Sequence, residues 1–233
     1  MGFADSNATN FLEPAVTTIP PIVDGVISSN EYGIDNTGDE ITAIWDMDNI
    51  VVTVFTIITT TDMYIAFMWT DTTPTPTGLY DGVKIWMDQD ENPSTSLESF
   101  PVDEKIHYYD GTTLDKVTMD TFNNASGYPL INDSDNNPAG TDDLEAASTY
   151  SDNIRITEMS FPLNSGDYNG YDVNLGAGDT LDIIIYIWDD LTQPNYSSVS
   201  WGLRILTLSE FQPIFTLIIS GIAIICLIIK KRV

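Results

Sequence analysis

Eight runs of β-branched and aromatic residues constrain the fold more than any other feature of the sequence. Gly, Pro, Asn and Asp bound these runs, and no stretch before residue 211 keeps a helical period over three turns. Residues 63–70 and 181–188 are apolar on both faces, which is typical of central strands. The pattern predicts an all-β fold, an antiparallel, jelly-roll-like β-sandwich. The eight runs are residues 41–46, 50–58, 63–70, 82–88, 105–109, 153–161, 181–189 and 198–206.

The strand-like runs place the sandwich within residues 20–208, and residues 1–19 are predicted to be an N-terminal extension. One long polar stretch, residues 120–152, interrupts the rhythm of strands and turns. An insertion of that length in a compact domain is usually functional or ordered by an ion. We therefore expect an acidic loop insertion within the sandwich.

The C-terminal segment has a different composition from the rest of the chain. Residues 213–229 carry no charge, and residues 211–229 are close to the ~20 residues that a helix needs to cross a bilayer. The alternative is a buried core helix, but the basic residues in the tail, 230–233, favour a transmembrane helix with a cytoplasmic C-terminus. The acidic body then lies outside an archaeal or bacterial cell, at its surface.

This orientation requires an export signal, and residues 1–14 have neither a basic nor an apolar region of that kind. Either a signal has been removed, or the chain is a tail-anchored protein that faces the cytoplasm. We adopt the first interpretation. Four glycosylation sequons agree with an extracellular glycoprotein. They begin at Asn7, Asn124, Asn132 and Asn195.

Charge excludes one class of partner. The chain has 35 acidic and 8 basic residues, a net charge of −27, and three of the basic residues are in the tail. Such a body repels nucleic acid and attracts cations. A halophilic surface is one explanation, and calcium binding outside the cell is the other, which better explains why the acids cluster in loops. The single cysteine, Cys226, excludes a disulfide within the chain.

Two acidic loops share the pattern D-x-D-x-N-P. The first contains Asp88, Asp90 and Asn92. The second contains Asp133, Asp135 and Asn137. Oxygen ligands at alternate positions of a turn can converge on a hard cation, so we predict calcium at both loops, although neither is an EF-hand. A pair of solvated polar turns is the alternative.

Several short motifs carry a resemblance to a known superfamily. They are Val23 to Ile27 followed by Glu31-Tyr32, Met63 to Asp71, Asp81 to Asp88, residues 178–190 and residues 198–206. Together they resemble the DOMON-like superfamily, specifically family 9 carbohydrate-binding modules and the haem-binding domains of DMSO-reductase-type enzymes. The resemblance covers about residues 20–208 and implies a β-sandwich that binds a ligand without performing chemistry.

The residues help to choose between a sugar and haem. Sugar binding needs aromatic faces beside polar groups, and Trp69 with Asp71 and Trp188 with Asp190 supply such pairs at strand ends. Both tryptophans could instead belong to the core. The resemblance offers Met87 as a haem ligand, but residues 193–201 contain neither the Lys nor the His of the haem branch, and the only histidine, His107, reads as a strand residue.

Enzyme signatures are absent. The chain has no nucleophile elbow, P-loop or zinc motif, and one histidine limits triad chemistry. A carboxylate pair for glycoside hydrolysis stays open in so acidic a sequence. We therefore predict a membrane-anchored extracellular domain that binds carbohydrate and is stabilised by calcium. The alternatives are a structural or adhesive surface-layer or filament component that contacts copies of itself, and a haem-binding electron-transfer domain.

Overall fold

The computed structural model describes most of the predicted sandwich. It covers residues 11–33, 39–45, 48–72, 80–88, 102–110, 115–123, 131–132, 141–165, 174–176, 179–191, 195–197 and 201–204. These residues form fourteen β-strands. The strands are β1 (Phe11–Leu12), β2 (Ala15–Val16), β3 (Asp39–Trp45), β4 (Asp48–Ile58), β5 (Asp62–Thr70), β6 (Tyr80–Asp88), β7 (Val102–Asp110), β8 (Asp115–Asn123), β9 (Ile131–Asn132), β10 (Glu145–Ser151), β11 (Ile154–Pro162), β12 (Thr180–Leu191), β13 (Asn195–Ser197) and β14 (Trp201–Arg204).

The strands make two antiparallel layers. The first sheet has the order β10-β11-β5-β4-β3, and the second has the order β12-β6-β7-β8-β9. The short strand β13 pairs with β3 on one side and β12 on the other, so it joins the two sheets along one border. The predicted all-β sandwich is confirmed.

Alternation along the strands builds the core between the two sheets. Strands β4, β5 and β11 supply apolar side chains from one layer, and β6 and β12 supply them from the other. Each fully buried side chain of this size contributes about 1.5–3 kcal/mol relative to an exposed one. The first sheet contributes Val52, Val54, Met63, Ile65, Phe67, Trp69, Met159 and Phe161, and the second contributes Val83, Ile85, Met87, Ile183, Ile185 and Ile187.

The N-terminal residues take part in both sheets. Strand β1 runs parallel to β14 in the second sheet, and β2 runs parallel to β4 in the first. Leu12 is fully buried in the core between them. The predicted extension, residues 1–19, therefore includes two strands of the sandwich. Such two-residue strands have no periodicity that the sequence could reveal, because the sheets on either side determine their conformation.

Residues 20–33 cover the outer face of the first sheet. Tyr32 packs on Phe55 with ring centroids 5.9 Å apart. A turn at Gly25, whose φ of 82° favours glycine, lies over the carboxylate of Glu158. The Glu158 carboxylate accepts hydrogen bonds from the backbone N–H groups of residues 24, 25 and 26. The first motif of the resemblance is therefore a turn that fastens this segment to the sheet.

Other predicted segments fall differently on the structure. The predicted loop insertion, residues 120–152, contains the end of β8, the short strand β9 and the whole of β10. Within the described ranges, no helix is long and apolar enough to cross a membrane. The predicted membrane helix, residues 211–229, and the basic tail lie outside the described residues.

Candidate functional site

The first predicted binding pair is interior. Trp69 is 2% exposed and belongs to the core, and Asp71 is fully buried. The Arg155 guanidinium donates to Asp71 over 3.0 Å and also pairs with Asp81 on the second sheet. This ion pair network ties the two layers together. For Trp69 the structure therefore supports the core alternative, because its ring is packed among other side chains and offers no face to a ligand.

Trp188 of the second predicted pair lies on the outer face of the second sheet. Ile183, Ile185 and Ile187 point into the core, so Trp188 on the same strand projects from the outer face. Its ring is partly exposed and contacts the ring of Tyr108, with centroids 5.7 Å apart. Asp190 follows two residues later on β12, but its side chain is outside the described ones.

Gly82 explains how these two rings meet. In the register of the sheet, Gly82 lies between Trp188 on β12 and Tyr108 on β7. A Cβ atom on Gly82 would overlap the backbone of His107 and Tyr108. The glycine therefore permits a close approach of β7, and the two aromatic side chains meet over the space that a side chain would fill.

A second aromatic pair lies on the same outer face. Trp86 and Tyr186 are both partly exposed, and their rings meet edge to face with centroids 5.0 Å apart. The Lys84 ammonium lies 4.5 Å from the centroid of each ring. A cation held against two aromatic rings is a favourable arrangement that restricts their movement. Lys84 therefore fixes the geometry of this pair.

Electrostatics around Lys84 are balanced. Its ammonium lies 3.6 Å from the Glu104 carboxylate, which is fully buried. Burial lowers the pKa of Lys84, and the charge of Glu104 opposes that shift. The pair thus brings one positive and one negative charge to the same place. We name the outer surface formed by Trp86, Tyr108, Tyr186 and Trp188, with Lys84 and Glu104, the aromatic face.

The predicted metal ligands are mostly outside the described residues. The backbone of Asp88 ends strand β6, whereas Asp90, Asn92, Asp133, Asp135 and Asn137 fall in segments that are not described. Among the described residues, no group of three or more His, Cys, Asp or Glu side chains is arranged to hold a metal ion. Calcium at the two acidic loops stays a prediction.

The candidate haem ligand, Met87, and the histidine assigned to a strand, His107, are both interior. Met87 is buried in the core cluster. His107 is 1% exposed, and its Nδ1 and Nε2 atoms lie 2.8 Å from Thr118 Oγ1 and 3.3 Å from Ser148 Oγ. Burial lowers the pKa of His107 to about 4, and the nearby charge of Lys116 acts in the same direction. Neither side chain is presented at an outer surface where a haem would dock.

Of the residues that form the aromatic face, only Trp188 was among those predicted from the sequence. Lys84 and Trp86 alternate with the core residues of β6, so their common face was visible in the sequence. Tyr186 and Trp188 were harder to assign, because residues 183–188 are apolar at every position and show no period of two. The partnership with Tyr108 depends on strand pairing between β6 and β7, which no local pattern specifies.

The comparisons with known proteins give distant structural likenesses. A family 9 carbohydrate-binding module from Caldicellulosiruptor kristjanssonii, in complex with glucose, is 12% identical over 84% of this chain and 96% of its own, with a TM-score of 0.47. The same kind of module in complex with cellotriose is 11% identical over 86% and 96%, with a TM-score of 0.49. No family model matches the chain, and no curated protein matches it.

Proposed function

We propose that the aromatic face binds carbohydrate. The observation that carries the proposal is two contacting aromatic pairs, Trp86 with Tyr186 and Trp188 with Tyr108, on one surface outside the core. Sugar rings have apolar C–H faces that pack on aromatic rings, and tyrosine and tryptophan also carry polar groups for hydrogen bonds. Tyr186 and Trp188 are two residues apart on β12, so their backbones are about 7 Å apart and present a row of rings.

Preorganisation strengthens this proposal. The ammonium of Lys84 restrains both rings of the first pair, and the close contact over Gly82 restrains the second. Side chains that are already held in position lose little conformational entropy on binding, so more of the contact energy becomes affinity. Lys84 therefore acts by holding the rings of the first pair in place, and Glu104 acts by holding Lys84.

The net charge of the chain restricts the class of carbohydrate that we propose as ligand. A net charge of −27 disfavours anionic polysaccharides, which would be repelled before they reached the surface. Lys84 does not reverse this, because Glu104 neutralises it. The ligand that we propose is a neutral glycan, and we propose that it is bound without being cleaved.

The cellular setting is part of the same proposal. The apolar segment 211–229 followed by basic residues supports a membrane anchor with the sandwich outside the cell. Calcium at the loops of Asp88 and Asp133 would stabilise such a domain, which has no possible internal disulfide. Protease added to intact cells should digest the sandwich; protection until detergent is added would show the opposite orientation.

Sugar binding is tested with a glycan array probed with the full chain, followed by calorimetry on the best neutral glycan. Trp188→Ala and Trp86→Ala should each weaken binding at least about tenfold, which corresponds to about 1.4 kcal/mol. Tyr64→Ala is the matched control, because Tyr64 is a partly exposed aromatic residue on the outer face of the other sheet. If both tryptophan variants fold and bind the glycan as tightly as the wild type and Tyr64→Ala do, the proposal is refuted.

A further inference from the structure

A lysine and three aspartates meet in the interior of the sandwich. Val83, Ile85 and Met87 of β6 point into the core, and their direct partners on β7 are His107, Lys105 and Asp103. Paired residues share a face, so these polar side chains also point inward. On the next strand, Asp120 lies directly opposite Lys105. The sequence therefore places a lysine beside an aspartate in a region that excludes water.

The distances within this cluster are short. Lys105 Nζ lies 2.5 Å from Asp120 Oδ1, 3.3 Å from Asp103 Oδ1 and 3.9 Å from Asp143 Oδ1. Lys105, Asp103 and Asp120 are all nearly inaccessible to solvent. The ring of Phe161, whose centroid is 5.7 Å from Nζ, forms an apolar wall on another side.

We propose that Lys105 and Asp120 condense spontaneously into an intramolecular isopeptide bond. The Lys105 Nζ–Asp120 Cγ bond forms and one Cγ–Oδ bond of Asp120 breaks. The displaced oxygen leaves as water with two of the three ammonium protons, so an ammonium and a carboxylate become one neutral amide. Atoms and charge balance, and the reaction needs no other reactant.

The surrounding groups have the positions that this reaction requires. Attack needs a neutral amine, and Asp103 is placed to accept a proton from Nζ and return it to the departing oxygen. The backbone N–H of Asp143 donates to Asp120 Oδ2 over 3.2 Å, where negative charge develops in the tetrahedral intermediate.

Proximity and burial favour the amide over hydrolysis. Groups held in reactive geometry reach effective molarities of about 10⁵–10⁸ M, far above the concentration of the water that would reverse the reaction. Desolvation also disfavours the separated charges of the unreacted pair. The product joins β7 to β8 covalently, in a chain whose single cysteine provides no internal disulfide.

The test is the intact mass of the folded full chain, followed by proteolysis and peptide mapping. We expect a mass lower than the sequence mass by one water molecule, and one branched peptide that contains both Lys105 and Asp120. The unmodified mass in folded protein would overturn the proposal. So would a loss of water located at an Asp–Gly step such as Asp110-Gly111, where a cyclic imide causes the same change in mass.

Variants separate the reaction from a simple ion pair. Lys105→Arg keeps the positive charge but should have the full sequence mass; a loss of water in this variant would overturn the proposal. Asp103→Asn should slow formation of the bond, so that linked and unlinked chains coexist soon after synthesis, and undiminished linkage would overturn its role in proton transfer. Glu104→Gln is the matched control, because it alters the other buried lysine–carboxylate pair and should leave the Lys105–Asp120 bond complete.

Discussion

Replacing Glu158 by Ala should detach or destabilise the N-terminal segment. The carboxylate accepts from the Gly25 N–H over 2.6 Å and from the Tyr32 hydroxyl over 3.0 Å, and both bonds are buried. Hydrogen bonds to a charged group contribute about 1.5–3 kcal/mol each, and those of residues 24 and 26 add less because water can replace them. Burial raises the pKa of Glu158 despite these hydrogen bonds, because desolvation disfavours the charged carboxylate. We expect a loss of about 3–5 kcal/mol for Glu158→Ala.

Urea unfolding, followed by circular dichroism, measures this loss directly. Tyr32→Phe removes one of the two buried bonds and should cost about 1–2 kcal/mol. Because both variants disrupt the same contact, their effects should not add. Glu145→Ala, at an exposed position on β10, is the matched control and should change stability by less than about 0.5 kcal/mol.

Hydrogen exchange at the Gly25 amide distinguishes local release from global unfolding. If only residues 20–33 detach, Gly25 should exchange faster in Glu158→Ala while the amides of β5 keep their protection. If the stability of Glu158→Ala and the exchange rate of its Gly25 amide both match the wild type, the Glu158 carboxylate does not hold this turn on the sheet.

Three further predictions concern pH, packing and calcium. The pKa of His107 is about 4 in the folded protein and about 6.5 in the unfolded chain, so the free energy of unfolding should fall by roughly 3 kcal/mol as pH drops from 6.5 to 4. His107→Asn should remove that part of the dependence of stability on pH, measured by melting curves at each pH. An unchanged pH dependence in this variant would contradict the prediction. Gly82→Ala should lower the free energy of unfolding in urea by about 1–3 kcal/mol and should weaken glycan binding, because the added Cβ would displace β7. Stability and glycan affinity equal to those of the wild type would contradict this prediction. Asp88→Ala and Asp90→Ala should lower the melting temperature in calcium but not in EDTA. The reason is that calcium at ~100 Kd stabilises the folded protein by about 2.7 kcal/mol. If the wild-type protein gives identical melting curves in calcium and in EDTA, the loop is a polar turn without bound calcium.

Strand composition predicted the architecture because most strands of this protein carry their own signal. Runs such as residues 50–58 and 63–70 became β4 and β5, where β-branched and aromatic residues pack on a pleated surface. Strand β10 carried no such signal. Its sequence, EAASTYS, is polar and small, and it became a strand because it pairs with all of residues 154–160 on β11. Pairing with β11, and not the preference of its own residues, therefore makes β10 a strand.

The two predicted tryptophans show why the candidate site was harder to predict than the fold. Each is followed by an aspartate within two residues, and the sequence offered no difference between them. Trp69 is in phase with Ile65 and Phe67, which face the core, whereas Trp188 is out of phase with Ile187. In β-strands a shift of one residue exchanges interior and exterior. When a strand is apolar on both faces, its sequence does not show which alternate residues face the core, and the neighbouring strands are needed to decide.

The placement of the few basic residues connects the fold with the proposed ligand. Only five basic residues precede the tail, and four of them have described side chains that are used in internal contacts. Those contacts are Lys84 with Glu104, Lys105 with Asp120, Lys116 with the Ser148 carbonyl oxygen, and Arg155 with Asp71 and Asp81. Buried opposite charges interact more strongly than exposed ones, so Lys84, Lys105 and Arg155 hold strands together where a base is most effective. The exterior is consequently left with an excess of carboxylates, and the neutral glycan that we propose as ligand needs no cationic contact to pack on aromatic rings.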